Sequence, residues 1–94
     1  MAETSDQKVE TSDRSELNRY EIRVDGELAG LAEYRLADGQ ITFTHTEIEP
    51  SRGGQGLGSR LVEFAVTDAR SRDLEIIPVC PFVKDWIEQN PEQS

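Results

Sequence analysis

The chain has 94 residues, 19 of them acidic and 10 basic, for a formal net charge of −9. That length makes one small domain with a modest core and little room for a second site. The acid surplus argues against non-specific nucleic-acid binding, which needs a basic face; it suits the approach of a cationic partner and equally serves plain solubility.

Residues Met1 to Glu16 are rich in Ser, Thr, Asp and Glu, with no aromatic residue and only Ala2 and Val9 as aliphatics beyond the first Met. Such a segment buries too little surface to offset its ordering entropy, so residues 1–16 are predicted to be a disordered tail and 17–94 the folded domain. No signal segment and no apolar run long enough to cross a bilayer is legible, so no membrane partner and a cytoplasmic location are expected.

Three strand patterns follow. Tyr20, Ile22 and Val24 alternate with Glu21 and Arg23, and Asp25-Gly26 supplies a turn. Leu28, Ala32, Tyr34 and Leu36 share one parity, and Asp38-Gly39 turns the chain again. Ile41, Phe43 and His45 then alternate with Thr42, Thr44 and Thr46. Short D-G turns predict an antiparallel three-strand meander.

Pro50 closes the third strand, and Gly53, Gly54, Gly56 and Gly58 follow within six residues. Leu57, Leu61, Phe64, Ala65 and Ala69 then trace a helical stripe from about Gly56 to Ser71. A glycine loop opening a helix leaves N–H groups uncovered where the helix dipole favours negative charge, so it is predicted to bind an anion, best a phosphate. Ser59-Arg60 stands where a P-loop requires Lys-Ser/Thr, and Gly58 comes one residue too early for a dinucleotide fingerprint. Leu74 to Val79 reads as a buried strand, and Phe82 to Gln89 as a short helix stopped by Asn90-Pro91. A strand after a crossover helix is expected to run parallel to the one before it. The fold class is therefore α/β in the α+β sense: meander, helix, a fourth strand parallel to the third, and a final short helix.

Single Cys80 allows no internal disulfide and no cysteine zinc cluster, and single His45 allows no histidine metal site without carboxylates. No metal is expected.

Three segments together resemble one family. The glycine stretch resembles the [Q/R]-x-x-G-x-[G/A] pyrophosphate loop of the GNAT N-acetyltransferase superfamily, with Gly56 and Gly58 in its glycine slots and Arg52 one place early. Thr44-His45-Thr46-Glu47-Ile48-Glu49-Pro50 resembles the H-T-x-V-P strand end of a small GNAT branch. Ile76 to Val83, with Trp86 to Glu92, resembles that branch's P-x-C-P-[FY]-[VI] strand exit and terminal helix. The branch is the minimal GNAT-like family named for its Cys and Gly motifs, which lacks the first two helices and the C-terminal strands of full GNAT enzymes.

The resemblance implies acetyl-coenzyme A as co-substrate and an amine as acceptor. It places the pyrophosphate on Gly53, Gly54, Gln55, Gly56, Leu57, Gly58 and Ser59, and the pantetheine arm against the main chain at Glu47 and Ile48. Direct attack by the amine needs a base and a group for the departing thiolate. His45 and Glu47 are the candidate bases, the latter through a held water. Cys80 is the candidate acid or acetyl carrier, expected to face His45 across the gap between the parallel strands. The final helix has Phe82 and Trp86 but no Tyr, which many full enzymes use as the acid. Two functional classes stand: an N-acetyltransferase acting on a small amine or a protein amine, and a coenzyme-A-binding module with weak or no turnover. A monomer or weak homodimer is expected.

Overall fold

The structure, a computed structural model, describes residues 8–52 and 56–90. Its single sheet has the order β1-β2-β3-β4-β5, with β1 Val9–Arg14, β2 Arg19–Val24, β3 Glu27–Ala37, β4 Gln40–Ile48 and β5 Glu75–Pro78. The first four strands are antiparallel and β5 runs parallel to β4. Helix α1, Leu57–Ser71, crosses between β4 and β5, and α2, Pro81–Gln89, ends the described chain.

The predicted meander is present as β2, β3 and β4. Both D-G turns carry positive φ at each central residue, 52° and 85° at Asp25-Gly26 and 52° and 76° at Asp38-Gly39. That is the turn whose twist matches two antiparallel strands. Helix α1 packs Leu57, Leu61, Val62, Ala65, Val66 and Ala69 onto Tyr20, Ile22, Val24, Ala32, Tyr34, Ile41 and Phe43. Four aromatic rings, those of Tyr20, Tyr34, Phe43 and Phe64, meet at its centre in tilted and edge-on pairs. Pro81 sits in the first turn of α2, where its missing N–H costs no hydrogen bond.

One expectation is corrected. The segment read as a tail contains β1, whose Val9 to Arg14 pair residue by residue with Val24 to Arg19. Residues 1–7 lie outside the described residues. Sparse aliphatics hid a strand held by polar contacts. The Tyr34 hydroxyl donates to Asp13 at 2.6 Å, Arg72 lies 3.5 Å from the same carboxylate, and Lys8 and Asp25 exchange main-chain and side-chain bonds. Arg72 also pairs with Asp68, which accepts the Tyr20 hydroxyl at 2.7 Å. Burial, with these carboxylate partners, pushes both tyrosine hydroxyls above their ordinary pKa.

The parity of β3 is also altered. Ile22 pairs with Gly30 and Arg23 with Leu28, so Ala29 is an extra residue. This bulge buries Ala29 and Gly30 together and leaves Leu28 exposed. On the face of the sheet away from α1, Glu21 is covered by Arg14, Arg19 and Arg23 rather than by apolar core. Loss of water would raise its pKa, but the arginine bonds outweigh that and hold the carboxyl below its ordinary range.

Candidate active site

The site begins where two parallel strands part. β4 pairs with β5 only from Gln40↔Glu75 to Phe43↔Pro78. The Cys80 N–H then donates to the Phe43 carbonyl at 2.9 Å and the chain turns into α2. β4 itself runs on to Ile48, paired with β3 alone. Among the described residues, the β5-side edge of β4 from Thr44 to Ile48 therefore has no strand partner. Pro78 and Pro81, which carry no N–H, end the ladder. An open strand edge of this kind offers main-chain donors and acceptors to an extended ligand. Val79 and Phe82, 62% and 43% exposed, stand on the β5 side of the opening.

A second bulge shapes this edge. Tyr34 pairs with Phe43 and Glu33 with His45, leaving Thr44 as the extra residue in β4. Alternation restarts after it, so Thr46 turns to the core side and His45 to the open face. The Cys80 thiol, almost fully buried, lies 3.3 Å from the Thr46 hydroxyl. His45 instead lies against Glu47, Nε2 to Oε2 at 3.1 Å, both side chains more than half exposed. The structure thus keeps His45 and Glu47 together and separates His45 from Cys80, against the expectation that imidazole and thiol face each other.

Cys80 is the residue before the first turn of α2. Burial alone would raise its thiol pKa, but contact with the Thr46 hydroxyl and the nearby main chain of Val83, Phe82 and Thr46 outweighs it and holds the thiol below its usual value. The Val83 and Phe82 amides act as favourable dipoles, since neither closes a full capping hydrogen bond to sulfur.

The predicted anion cradle falls at the start of α1. Gly56 caps this helix at φ 75°, ψ 12°, a left-handed conformation that side chains disfavour, with empty space where a Cβ would point. No described side chain caps the helix and its first turn holds no acidic residue. The N–H groups of Leu57, Gly58 and Ser59 have no partner within the helix itself. Gly53, Gly54 and Gln55 lie outside the described residues. Gly58 also has a packing task. A Cβ there would fall 2.5 Å from the tip of the Phe82 ring, so the missing side chain lets α2 close onto α1.

Two further residues at the site were not singled out by sequence. Thr46 stood among three alternating threonines and inside the H-T motif without a role of its own, and the bulge turns it toward Cys80. Gly30 carried no motif. Its place beside Ile48 and the Glu47 carbonyl, 2.5 and 2.9 Å from a would-be Cβ, follows from strand register. The nearest sequence signal was a small residue inside a strand pattern, which marks bulges and close approaches.

The fold recurs in solved structures. A ribosomal-protein-alanine N-acetyltransferase from Brucella melitensis biovar Abortus 2308 matches with a TM-score of 0.64 at 18% identity, over 81% of this chain and 62% of that one. The chain thus spans about three-fifths of that enzyme's length. A GCN5-like putative N-acetyltransferase from Staphylococcus aureus, solved by NMR, matches with a TM-score of 0.62 at 28% identity, over 92% and 82% of the two chains. The mixed five-strand sheet with two helices thus matches the fold of these acetyltransferases. The family model described as GCN5-related N-acetyl-transferase matches residues 19–94, and the chain belongs to that family. No curated protein matches the chain.

Proposed function

We propose that this protein transfers acetyl from acetyl-coenzyme A to a primary amine. The observation that carries the reading is the parting of β4 and β5 after Phe43 and Pro78. It leaves a free strand edge beside a helix start that no described side chain caps. The N–H groups of Gly56 to Ser59, with Gly53 to Gln55 before them, would hold the pyrophosphate, and the main chain at Glu47 and Ile48 the pantetheine arm. Acetyl-coenzyme A supplies an activated acyl group. Glu47 and His45 stand together on the open face to take the proton from an incoming ammonium. As the amine nitrogen bonds the carbonyl carbon the carbon–sulfur bond breaks; the nitrogen sheds its second proton to solvent, and the thiolate regains a proton either from Cys80, which solvent then reprotonates, or from solvent directly. Alternatively, Cys80 as thiolate first accepts the acetyl group and then yields it to the amine. The direct route gives no acetyl-enzyme; the relay gives one.

One observation favours the second reading, a coenzyme-A-binding module of low turnover: His45 is not beside Cys80, so no imidazole directly activates the thiol. Both readings require coenzyme A at the same cradle, and we place the protein in the cytoplasm as a monomer or weak homodimer. Calorimetric titration with acetyl-coenzyme A, followed by mass spectrometry with an amine present, tests them. Gly56→Glu is expected to abolish binding while Gly56→Ala, which shares the backbone strain but not the bulk or charge, weakens it only modestly. Wild-type protein that binds no acetyl-coenzyme A overturns both readings. Binding without acetyl transfer to any amine leaves the module.

A further inference from the structure

The same end of the sheet holds a cleft whose lining includes Glu47 and Ile48, the strand end to which the pantetheine arm is assigned. It encloses about 420 Å³ between the start of β3 and the end of β4. Leu28, Leu31, Ile48 and Pro50 give it apolar walls, and Glu47 and Glu49 stand among its lining residues. Among the described residues, no lysine, arginine or histidine lines it. Its shape has two causes already described. The Ala29 bulge turns the backbone there, and Gly30, having no side chain, lets Ile48 and the Glu47 carbonyl pack directly against β3. The strand opening toward β5 lies along the other edge of β4, so the cleft and the opening flank one strand end.

We propose that this cleft receives the acetyl acceptor, and that the acceptor is a primary ammonium on an unbranched alkyl stem with no carboxylate close to it. The proposal rests on the acetyltransferase reading and names its substrate class. The reasoning is complementarity. An alkyl stem loses apolar surface to water, and the walls formed by Leu28, Leu31, Ile48 and Pro50 cover it. Its ammonium finds two carboxylates at the end of β4, one of them within reach of His45. A free α-amino acid would bring its own carboxylate against Glu47 and Glu49 with no cation among the described lining residues to receive it, which opposes binding. A polyhydroxylated amine would face apolar walls with few hydrogen-bond partners. The chain's charge of −9 adds attraction at a distance. Two sources share this chemistry, a free diamine and a lysine side chain of a peptide, and an open cleft admits either.

The test is an amide NMR titration of the ¹⁵N-labelled protein without acetyl-coenzyme A, so that its result does not depend on coenzyme binding. The probes are 1,5-diaminopentane, pentylamine, methylamine, Nα-acetyl-lysine amide and glutarate. Shifts are expected at Leu28 to Leu31 and Glu47 to Glu49 with the diamine, the lysine amide and pentylamine, each binding at least tenfold more tightly than methylamine. Glutarate is expected to shift none of these. Tighter binding of the diamine identifies a free amine as the source; tighter binding of the lysine amide identifies a protein side chain. The pair Glu47→Gln with Glu49→Gln is expected to weaken the diamine at least tenfold. Should that pair fail to fold, Leu28→Gln is expected to erase the advantage of pentylamine over methylamine. Shifts located elsewhere, equal binding of methylamine and pentylamine, or affinity unchanged in the double variant overturns the proposal. Failure of acetyl-coenzyme A to bind, with the amine shifts intact, overturns the transferase reading alone.

Discussion

Cys80 and Thr46 meet because a single residue, Thr44, is inserted into β4 without a partner in β3. Thr46→Val keeps the shape and removes the hydroxyl that favours thiolate, so the thiol pKa should rise. Titration of thiolate absorbance should show less thiolate at neutral pH in this variant. Cys80→Ser should leave acetyl-coenzyme A affinity within about twofold, because the cradle is main chain, while lowering turnover. Wild-type turnover in Cys80→Ser would remove the thiol from the mechanism. Glu21 gives a prediction of another kind. Its folded-state pKa lies below the ordinary value, so its ion pairs stabilise the protein above the ordinary carboxylate range, and that contribution is lost as pH falls through the depressed value. Glu21→Gln should therefore cost about 1–3 kcal/mol at neutral pH, the scale of a covered charge-assisted bond. Denaturant unfolding should find the difference shrinking toward zero in acid.

Among the elements, β1 has few apolar contacts of its own and depends on its neighbours. Removing residues 1–14 would expose the edge of β2, unpair the Tyr34 hydroxyl, and deprive Arg72 and Glu21 of partners. Losing several partly buried polar contacts and a strand ladder together costs about 2–4 kcal/mol, a fall in melting temperature of roughly 10–25 °C for a domain this size. A thermal scan of the truncated chain measures it, and an unchanged midpoint would show β1 to be dispensable. At the junction of α1 and α2, Gly58→Ala drives a methyl into the Phe82 ring. The ring is 43% exposed and can swing outward, so a small stability loss is expected together with a larger effect on coenzyme binding, because that ring stands beside the strand opening.

For the whole molecule, binding and stability are linked. A ligand held only by the folded state, at a hundredfold excess over its Kd, stabilises it by about 2.7 kcal/mol. Acetyl-coenzyme A at that concentration should raise the melting temperature by roughly 10–20 °C, and Gly56→Glu should show almost no rise. The membrane has no claim on the described helices, none of which is long and apolar enough to cross it.

Local chemistry determined the turns, the periods and the helix starts, and these were legible in the sequence. Asp25-Gly26 and Asp38-Gly39 specify their hairpins by backbone preference alone. The apolar residues from Leu57 to Ala69 form a helix face wherever they are packed, and Pro78 and Pro81 end a ladder whatever lies beside it. Tertiary structure decided what no single segment contains. β1 is a strand because β2 pairs with its main chain and Tyr34 and Arg72 lie where its Asp13 can reach them. The bulges at Ala29 and Thr44 arise from the register between strands, and strict alternation within β4 put His45 on the wrong face. One residue without a partner reverses every side chain after it, so the placement of Thr46 beside Cys80, and of His45 with Glu47 on the open face, was settled only when β3, β4 and α2 came together.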